Sequence, residues 1–401
     1  MSSIPVSHRV QRVKPSPTLA MTARAAQLRR EGKDVISLSV GEPDFDTPAH
    51  ISAAGIAAIQ QGHTRYTNSD GAPELKDAII AKFQRDNGLT YQRHQILVST
   101  GAKQTLFNLC MAVVDPGDEV IIPAPYWVSY PDMVLLADGV PVTPYAGADA
   151  GFKITPQQLE QAITPRTRLV LLNSPSNPTG AAYTRAELAA LGEVLLRHPR
   201  LLVGTDDIYE KIYWADEPFS SLAQVVPALY ARTVTINGCS KGYAMTGWRV
   251  GYCGGPAEVV AAMATIQGQS TTNASSISQQ AAIAALNGPE EQMRRMNASF
   301  RQRHDFFVAG LNALPGFRCR PGEGTFYAFV DVSAAMRALG FADDVAFCDY
   351  LLNGALVAGV PGSAFGAPGH LRLSFAVSQR NLELALERIG KALAGAAGHK
   401  A

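Results

Sequence analysis

Lys241 and Arg249 stand eight residues apart in the stretch Asn237-Gly-Cys-Ser-Lys-Gly-Tyr-Ala-Met-Thr-Gly-Trp-Arg-Val-Gly251. A β-rich run, Thr233 to Ile236, leads into the turn that presents the lysine. Apolar and aromatic residues fill the interval, so Lys241 should be partly desolvated. Desolvation disfavours the ammonium form and leaves a nucleophilic amine, as imine chemistry requires. Arg249 is a permanent planar cation suited to a phosphate. An imine-forming lysine beside a phosphate-holding arginine suggests pyridoxal 5′-phosphate. A lysine taken alone is ordinarily a solvated surface charge, so the rest of the chain has to supply the partners.

Two further stretches supply them. Asp206 follows an apolar run, Arg200 to Gly204, that reads as a strand. A carboxylate against a pyridine nitrogen keeps that nitrogen protonated and makes the ring an electron sink. Tyr209, three residues on, can donate to the ring hydroxyl. The plain alternative for Asp206 is a helix cap. The apolar strand Ile96 to Ser99 runs into Thr100-Gly-Ala-Lys-Gln104 and then a helical pattern. Strand, small-residue turn and helix N-terminus form a general anion cradle, with free amides and about half a positive charge. The spacing is neither the nucleotide P-loop nor G-x-G-x-x-G. Cys239 lies near Lys241 and reads as packing.

Ser240-Lys-x-x-x-Met-Thr-Gly-Trp-Arg-x-Gly251 resembles the lysine signature of class I aminotransferases, which are fold type I pyridoxal-phosphate enzymes. The resemblance runs from about Lys14 to about Arg388. It is strongest to the bacterial aspartate aminotransferase subgroup that also holds prephenate aminotransferases. It implies that Lys241 carries the cofactor as an imine and moves a proton, with Asp206 at the ring nitrogen and Tyr209 at the ring hydroxyl. It implies that Gly101, Ala102, Lys103, Ser240 and Arg249 surround the phosphate and that Trp127 stacks on the ring. Asn177 would touch both ring hydroxyl and substrate carboxylate, and Asn177-Pro178 is expected to be cis. Gly41 and Arg372 would meet the substrate α-carboxylate. Tyr66 would reach the phosphate of a neighbouring subunit, which makes a homodimer the expected assembly. Family members commonly have Asp-Glu where this chain has Asp206-Asp207. Outside that context each residue has an ordinary reading: Trp127 as core, Arg372 as an exposed strand face, Phe326 and Phe365 as core.

These residues need elements to hold them. Short apolar strands alternate with helical stretches, and the motifs follow strand C-termini. That indicates an α/β protein with a doubly wound, mixed, mostly parallel sheet, ligands binding outside the carboxyl ends. The large domain is expected over 49–287. A long helical stretch, 288–314, should bridge to a smaller α+β domain built from 1–48 and 315–401. Helices are expected over roughly 49–60 and from Pro73 to about Asn87. Thr18 is placed as the cap of a helix reaching about Arg30. Pro315-Gly316 ends the bridging helix.

Composition bounds the remainder. Of 401 residues 47% are hydrophobic, and the formal net charge is +1 with no basic stripe, which disfavours nucleic acid as a partner. Segment 1–20 lacks the apolar core of a secretory signal, and no run reaches membrane-span length. Five widely spaced cysteines without C-x-x-C suit reduced thiols in a cytoplasmic enzyme, with no metal site expected.

Substrate choice rests on the resemblance. Animal-type aspartate aminotransferases bind the distal carboxylate with an arginine before the interface helix, and no Lys or Arg occurs between Val250 and Met293. The bacterial subgroup uses a lysine and a threonine instead, matched here by Lys103 and Thr18. Aspartate with 2-oxoglutarate as acceptor is therefore the expected pair. Prephenate or an aromatic substrate stays open, since the same two residues serve there. A pyridoxal-phosphate lyase is a further alternative on the same fold. A transcription regulator is disfavoured, because only about 17 residues precede the first expected helix.

Overall fold

The computed structural model describes residues 4–15 and 17–397. The extremities of the expected small domain, at 1–3 and 398–401, lie outside the described residues. Thirteen strands follow in chain order: β1 Ile36–Ser37, β2 Ile96–Ser99, β3 Glu119–Ile121, β4 Val140–Val142, β5 Thr167–Asn173, β6 Leu202–Asp206, β7 Thr233–Gly238, β8 Gly251–Gly254, β9 Arg318–Cys319, β10 Tyr327–Asp331, β11 Val357–Ala358, β12 Val360–Pro361 and β13 His370–Ser374.

Seven of them make one sheet in the order β2-β8-β7-β6-β5-β3-β4. β7, β6, β5, β3 and β4 are parallel, and β8 runs antiparallel to both β7 and β2. The parallel strands are buried on both faces and read as unbroken apolar runs such as Leu169 to Leu172. Register does the positioning. Asn173 of β5 pairs with Asp206 of β6, which pairs with Ile236 of β7. The carboxyl ends of three neighbouring strands thus bring Asn173, Asp206 and the Lys241 turn together. β8 returns from the same edge, so Gly251 lies opposite both Gly238 and Ser99. That places Arg249 beside the turn after β2.

β12-β13-β10-β9 form a second, antiparallel sheet, in which Arg372 pairs with Phe329 and Val360. β1 and β11 make a short parallel pair. The Ser374 amide donates to the Leu38 carbonyl at 2.7 Å and ties that pair to β13. The helix Glu291–Asn312 buries Met293, Met296, Phe300, His304, Phe307, Val308 and Leu311, a three-four spacing that gives one continuous apolar face. It packs on the antiparallel sheet. Gly316, at φ 77°, lies just beyond it.

Helices at Ala49–Gln60 and Pro73–Asn87 have the expected bounds. Three expectations need correcting. The first long helix runs Pro17–Arg30, so Thr18 sits inside its first turn rather than capping it. Proline is suited to that first position because its missing N–H would have no partner there. β6 begins and ends two residues later than the apolar run implied, which makes Asp206 its last residue. β8 was not expected at all, since Gly251-Tyr-Cys-Gly254 has the composition of a turn.

Candidate active site

The carboxyl edge of the large sheet, the start of the Pro17–Arg30 helix and β10–β13 enclose a cavity of about 370 Å³. Its wall carries Thr18, Gly41, Ala102, Lys103, Trp127, Asn177, Asp206, Tyr209, Ser240, Lys241, Arg249 and Arg372. Tyr66 is not part of that wall and is 91% exposed. Gly101 lies behind the wall, against Arg249.

Lys241 sits in the turn after β7, where Met245 N–H and Ala244 N–H bond back to Ser240 and Lys241 carbonyls. Its ammonium donates to the Gly41 carbonyl and faces the rings of Tyr209 and Phe326 at 5.9 and 5.8 Å. No carboxylate bonds it among the described residues. Burial, reinforced by the Arg372 and Arg249 guanidiniums, lowers its pKa to about 8, while Glu42 and Asp206 oppose the shift.

Asp206 accepts from the Tyr130 hydroxyl at 2.6 Å and from the Ile208 amide at 3.3 Å. Burial pushes its pKa up to about 6, and those two donors and the Lys241 charge hold it from rising further. It is a carboxylate at neutral pH, buried and aimed at the cavity. Tyr209 meets the Tyr327 hydroxyl at 3.0 Å. Burial raises the Tyr209 pKa well above that of a free phenol, so it is a donor.

The phosphate end follows from glycine chemistry. Gly101 holds φ 86°, and a Cβ there would come within 2.4 Å of Arg249 Nη2. A Cβ on Gly251 would come within 2.1 Å of the Ala102 nitrogen. Both positions admit only glycine, and together they seat Arg249 against the helix Ala102–Val113. The Ala102 and Lys103 amides open that helix and have no preceding helical carbonyl to bond. A dianion fits this cradle.

At the other end Arg372 is buried yet incompletely bonded. Nη1 donates to Asn177 Oδ1 at 2.9 Å and Nη2 to the Ser39 carbonyl at 2.8 Å, while Nε has no partner. Its guanidinium lies 4.4 Å from the Tyr327 ring centre and 5.0 Å from that of Phe365. Asn173 orients the neighbour: its side chain accepts from the Asn177 amide at 2.8 Å and donates to the Asp206 carbonyl at 2.8 Å. The Asn177–Pro178 bond is cis, as expected. Lys103 lies 4.9 Å over the Trp127 ring, its pKa lowered by burial of the ammonium and by Arg249. The Thr18 hydroxyl is buried and unbonded. Phe326 and Phe365 are core residues.

Tyr130, Tyr327, Asn173, Glu42 and Thr246 were not singled out in the sequence. Tyr130 follows Trp127 by one helical turn, a spacing that could have found it. Tyr327 was masked by its neighbour Phe326, whose ring also packs on Tyr209.

A desolvated lysine facing a buried carboxylate, between a dianion cradle and a buried guanidinium, defines an enzyme that works through a phosphorylated aldehyde. The sequence profile of the family "Aminotransferase class I and II" matches residues 33–389. The chain belongs to that family, whose members use pyridoxal 5′-phosphate. It is 55% identical over 394 residues to an aspartate/prephenate aminotransferase of Nitrosomonas europaea, covering 97% of this chain and 99% of the relative. It is 52% identical over 389 residues to an aspartate aminotransferase of Rhizobium meliloti, covering 96% and 95%. A crystal structure of the aspartate aminotransferase from Rhizobium meliloti superposes with TM-score 0.93 at 50% identity, over 98% of this chain and 99% of that one. An aspartate aminotransferase from Thermus thermophilus, solved with maleate, gives TM-score 0.92 at 43% identity over 97% and 100%.

Proposed function

We propose that the protein is an aspartate aminotransferase that passes an amino group from aspartate to 2-oxoglutarate in two half-reactions. The observation that carries this reading is a lowered-pKa lysine in a cavity whose wall carries, besides the Arg249 kept for the phosphate, two further cations, the buried Arg372 and Lys103. A dicarboxylic amino acid matches that arrangement. Relatives named for aspartate and a Thermus relative solved with maleate, itself a dicarboxylate, support it.

Pyridoxal 5′-phosphate, when bound, supplies the aldehyde that takes the amino group and the ring that absorbs the electrons released at Cα. The remaining work belongs to side chains. Gly101, Ala102, Ser240 and Arg249 would hold the phosphate, with Tyr66 of a second copy completing that shell. Trp127 would lie against the ring. Asp206, oriented by Tyr130 and the Ile208 amide, would keep the ring nitrogen protonated. Tyr209 and Asn177 would donate to the ring hydroxyl. Arg372, Asn177 and the Gly41 backbone orient the substrate α-carboxylate, so that the Cα proton faces Lys241. With a pKa near 8 a usable fraction of Lys241 is free amine at neutral pH and can take that proton. Lys103 and the unbonded Thr18 hydroxyl receive the distal carboxylate. Prephenate is the second reading, favoured by the Nitrosomonas europaea relative's name and by the same Lys103 and Thr18.

A homodimer is part of the proposal. Tyr66 stands 91% exposed, and Ile56 and Ile59 are 57% and 56% exposed on the helix Ala49–Gln60. The proposed division is 49–287 as the cofactor domain and 1–48 with 315–401 as the small domain, joined by 288–314. Five buried, unpaired thiols suit a cytoplasmic setting.

An absorbance scan of the purified yellow protein tests the reading. Aspartate alone should bleach the visible band and 2-oxoglutarate should restore it, while alanine, phenylalanine and arginine act slowly. Restoration by prephenate adds the second acceptor. Bleaching only by neutral or basic donors would discard the dicarboxylate assignment.

A further inference from the structure

Immediately after Tyr209 the chain buries a set of charges that the proposed chemistry does not use. Lys82, on the helix Pro73–Asn87, is 0% exposed, and Glu210 is 9% exposed. The two form an ion pair. Asn87 closes a triangle, accepting from Lys82 Nζ at 2.7 Å and donating to Glu210 Oε2 at 3.0 Å. Lys211, the next residue, bonds Asp86 at 3.0 Å and Glu290 at 2.9 Å, just ahead of the long helix Glu291–Asn312. Three consecutive residues therefore split their duties: Tyr209 lines the cavity while Glu210 and Lys211 are tied to helices.

Buried ion pairs are a poor way to gain stability, since apolar replacements of equal volume do as well or better. The placement of this one needs a geometric account. The turn is tight: the Glu210 amide donates to the Asp207 carbonyl at 2.9 Å and the Ile212 amide to the Tyr209 carbonyl at 2.8 Å. The anchored Glu210 side chain therefore leaves the same short turn that carries Tyr209. The Tyr209 ring also packs edge-on against Phe326 at 5.7 Å, and its hydroxyl meets that of Tyr327, carried by the other sheet.

We propose that the Lys82–Asn87–Glu210 triangle is the positioning device for Tyr209, setting where its hydroxyl meets the cofactor's ring oxygen and linking that turn, through Lys211 and Glu290, to the long helix. The proposal rests on the functional reading above. Hydroxyl misplacement by about 1 Å is enough to lower a rate severalfold to a hundredfold.

The test compares holoenzymes of the parent, Glu210→Gln, Asn87→Ala and the paired Lys82→Met/Glu210→Met. The pair removes both charges and retains bulk, so no lone buried charge opposes its folding. Three quantities are read: the pH titration of the visible band, kcat and KM for aspartate, and the Tyr209–Tyr327 hydroxyl distance in crystals. The expected result is a band titration displaced by roughly half a pH unit or more. A kcat lower by about tenfold, with KM changed less than about twofold, should accompany it. The hydroxyl separation should depart from 3.0 Å. Variants that keep the parent's titration, kcat and hydroxyl geometry while losing only thermal stability would overturn the proposal. A parent without a visible band would instead overturn the functional reading, and the proposal with it.

Discussion

Two lysines near the carboxyl end of β6 show what burial does and does not decide. Lys82 and Lys241 are both withdrawn from bulk water. Lys82 bonds a carboxylate and a side-chain amide and has a second carboxylate 3.8 Å away, so its charge is compensated. Lys241 meets one carbonyl and otherwise faces aromatic rings and a cavity. The partners decide the outcome: the ion pair makes Lys82 structural, whereas burial without a carboxylate partner lowers the pKa of Lys241 and makes it an available amine.

The difference is broken most strongly at Lys241. Lys241→Ala should lower the aspartate half-reaction by about 10⁴-fold or more, because both the attachment point and the proton carrier are lost. Stopped-flow bleaching measures it, and a substantial residual rate would remove the lysine from the mechanism. Removing the charge at Lys82 should act on folding instead. Lys82→Met leaves Glu210 buried without its cation and should cost about 3–5 kcal/mol by denaturant unfolding. Adding Glu210→Met should recover most of that loss. If the paired variant is as unstable as the single one, the charge-pair account fails.

A third change asks whether the substrate guanidinium works as a fork. Arg372→Lys keeps the charge but loses the planar donors that reach Asn177 and Ser39. KM for aspartate should rise about 10–100-fold, as expected for one lost charge-assisted bond. A KM within about twofold of the parent would show that charge alone suffices.

How much of this was legible in the sequence depended on locality. Lys241, Arg249, Asp206 and the Gly101 turn announced themselves because each chemical group sits next to a strand end, and parallel-sheet register then gathers strand ends in one place. Helices at 49–60 and 73–87 were bounded by Pro48, Pro73 and Gly88, whose backbone preferences act within a residue or two. The unseen parts are long-range. Nothing near Tyr130 says that its hydroxyl will meet Asp206, 76 residues later. Lys82 and Glu210 are 128 positions apart and look like two ordinary surface charges until the fold buries both. β8 was missed because its glycines serve close approach, Gly251 to Ala102 and Gly254 to the Tyr91 ring, rather than a turn.

The smallest expected effect concerns Asp206 in the protein stripped of cofactor. Its carboxyl moves from an ordinary pKa of 3.8 to about 6 on folding, chiefly through burial. A raised folded pKa means that the folded state holds a proton which the unfolded state releases. Below about pH 4 both states are protonated and Asp206 costs nothing. Between about pH 4 and pH 6 stability falls as pH rises, and above pH 6 the full cost remains, on the order of 2–3 kcal/mol. Asp206→Asn removes the charge and still accepts from Tyr130. Its thermal midpoint should match the parent's near pH 4 and exceed it by a few degrees at pH 7, with the gap opening between those values. Bound cofactor, whose ring nitrogen brings the countercharge, should shrink the gap. A gap that is independent of pH would mean that Asp206 is not strained by burial, and that its readiness to hold a protonated ring has another source.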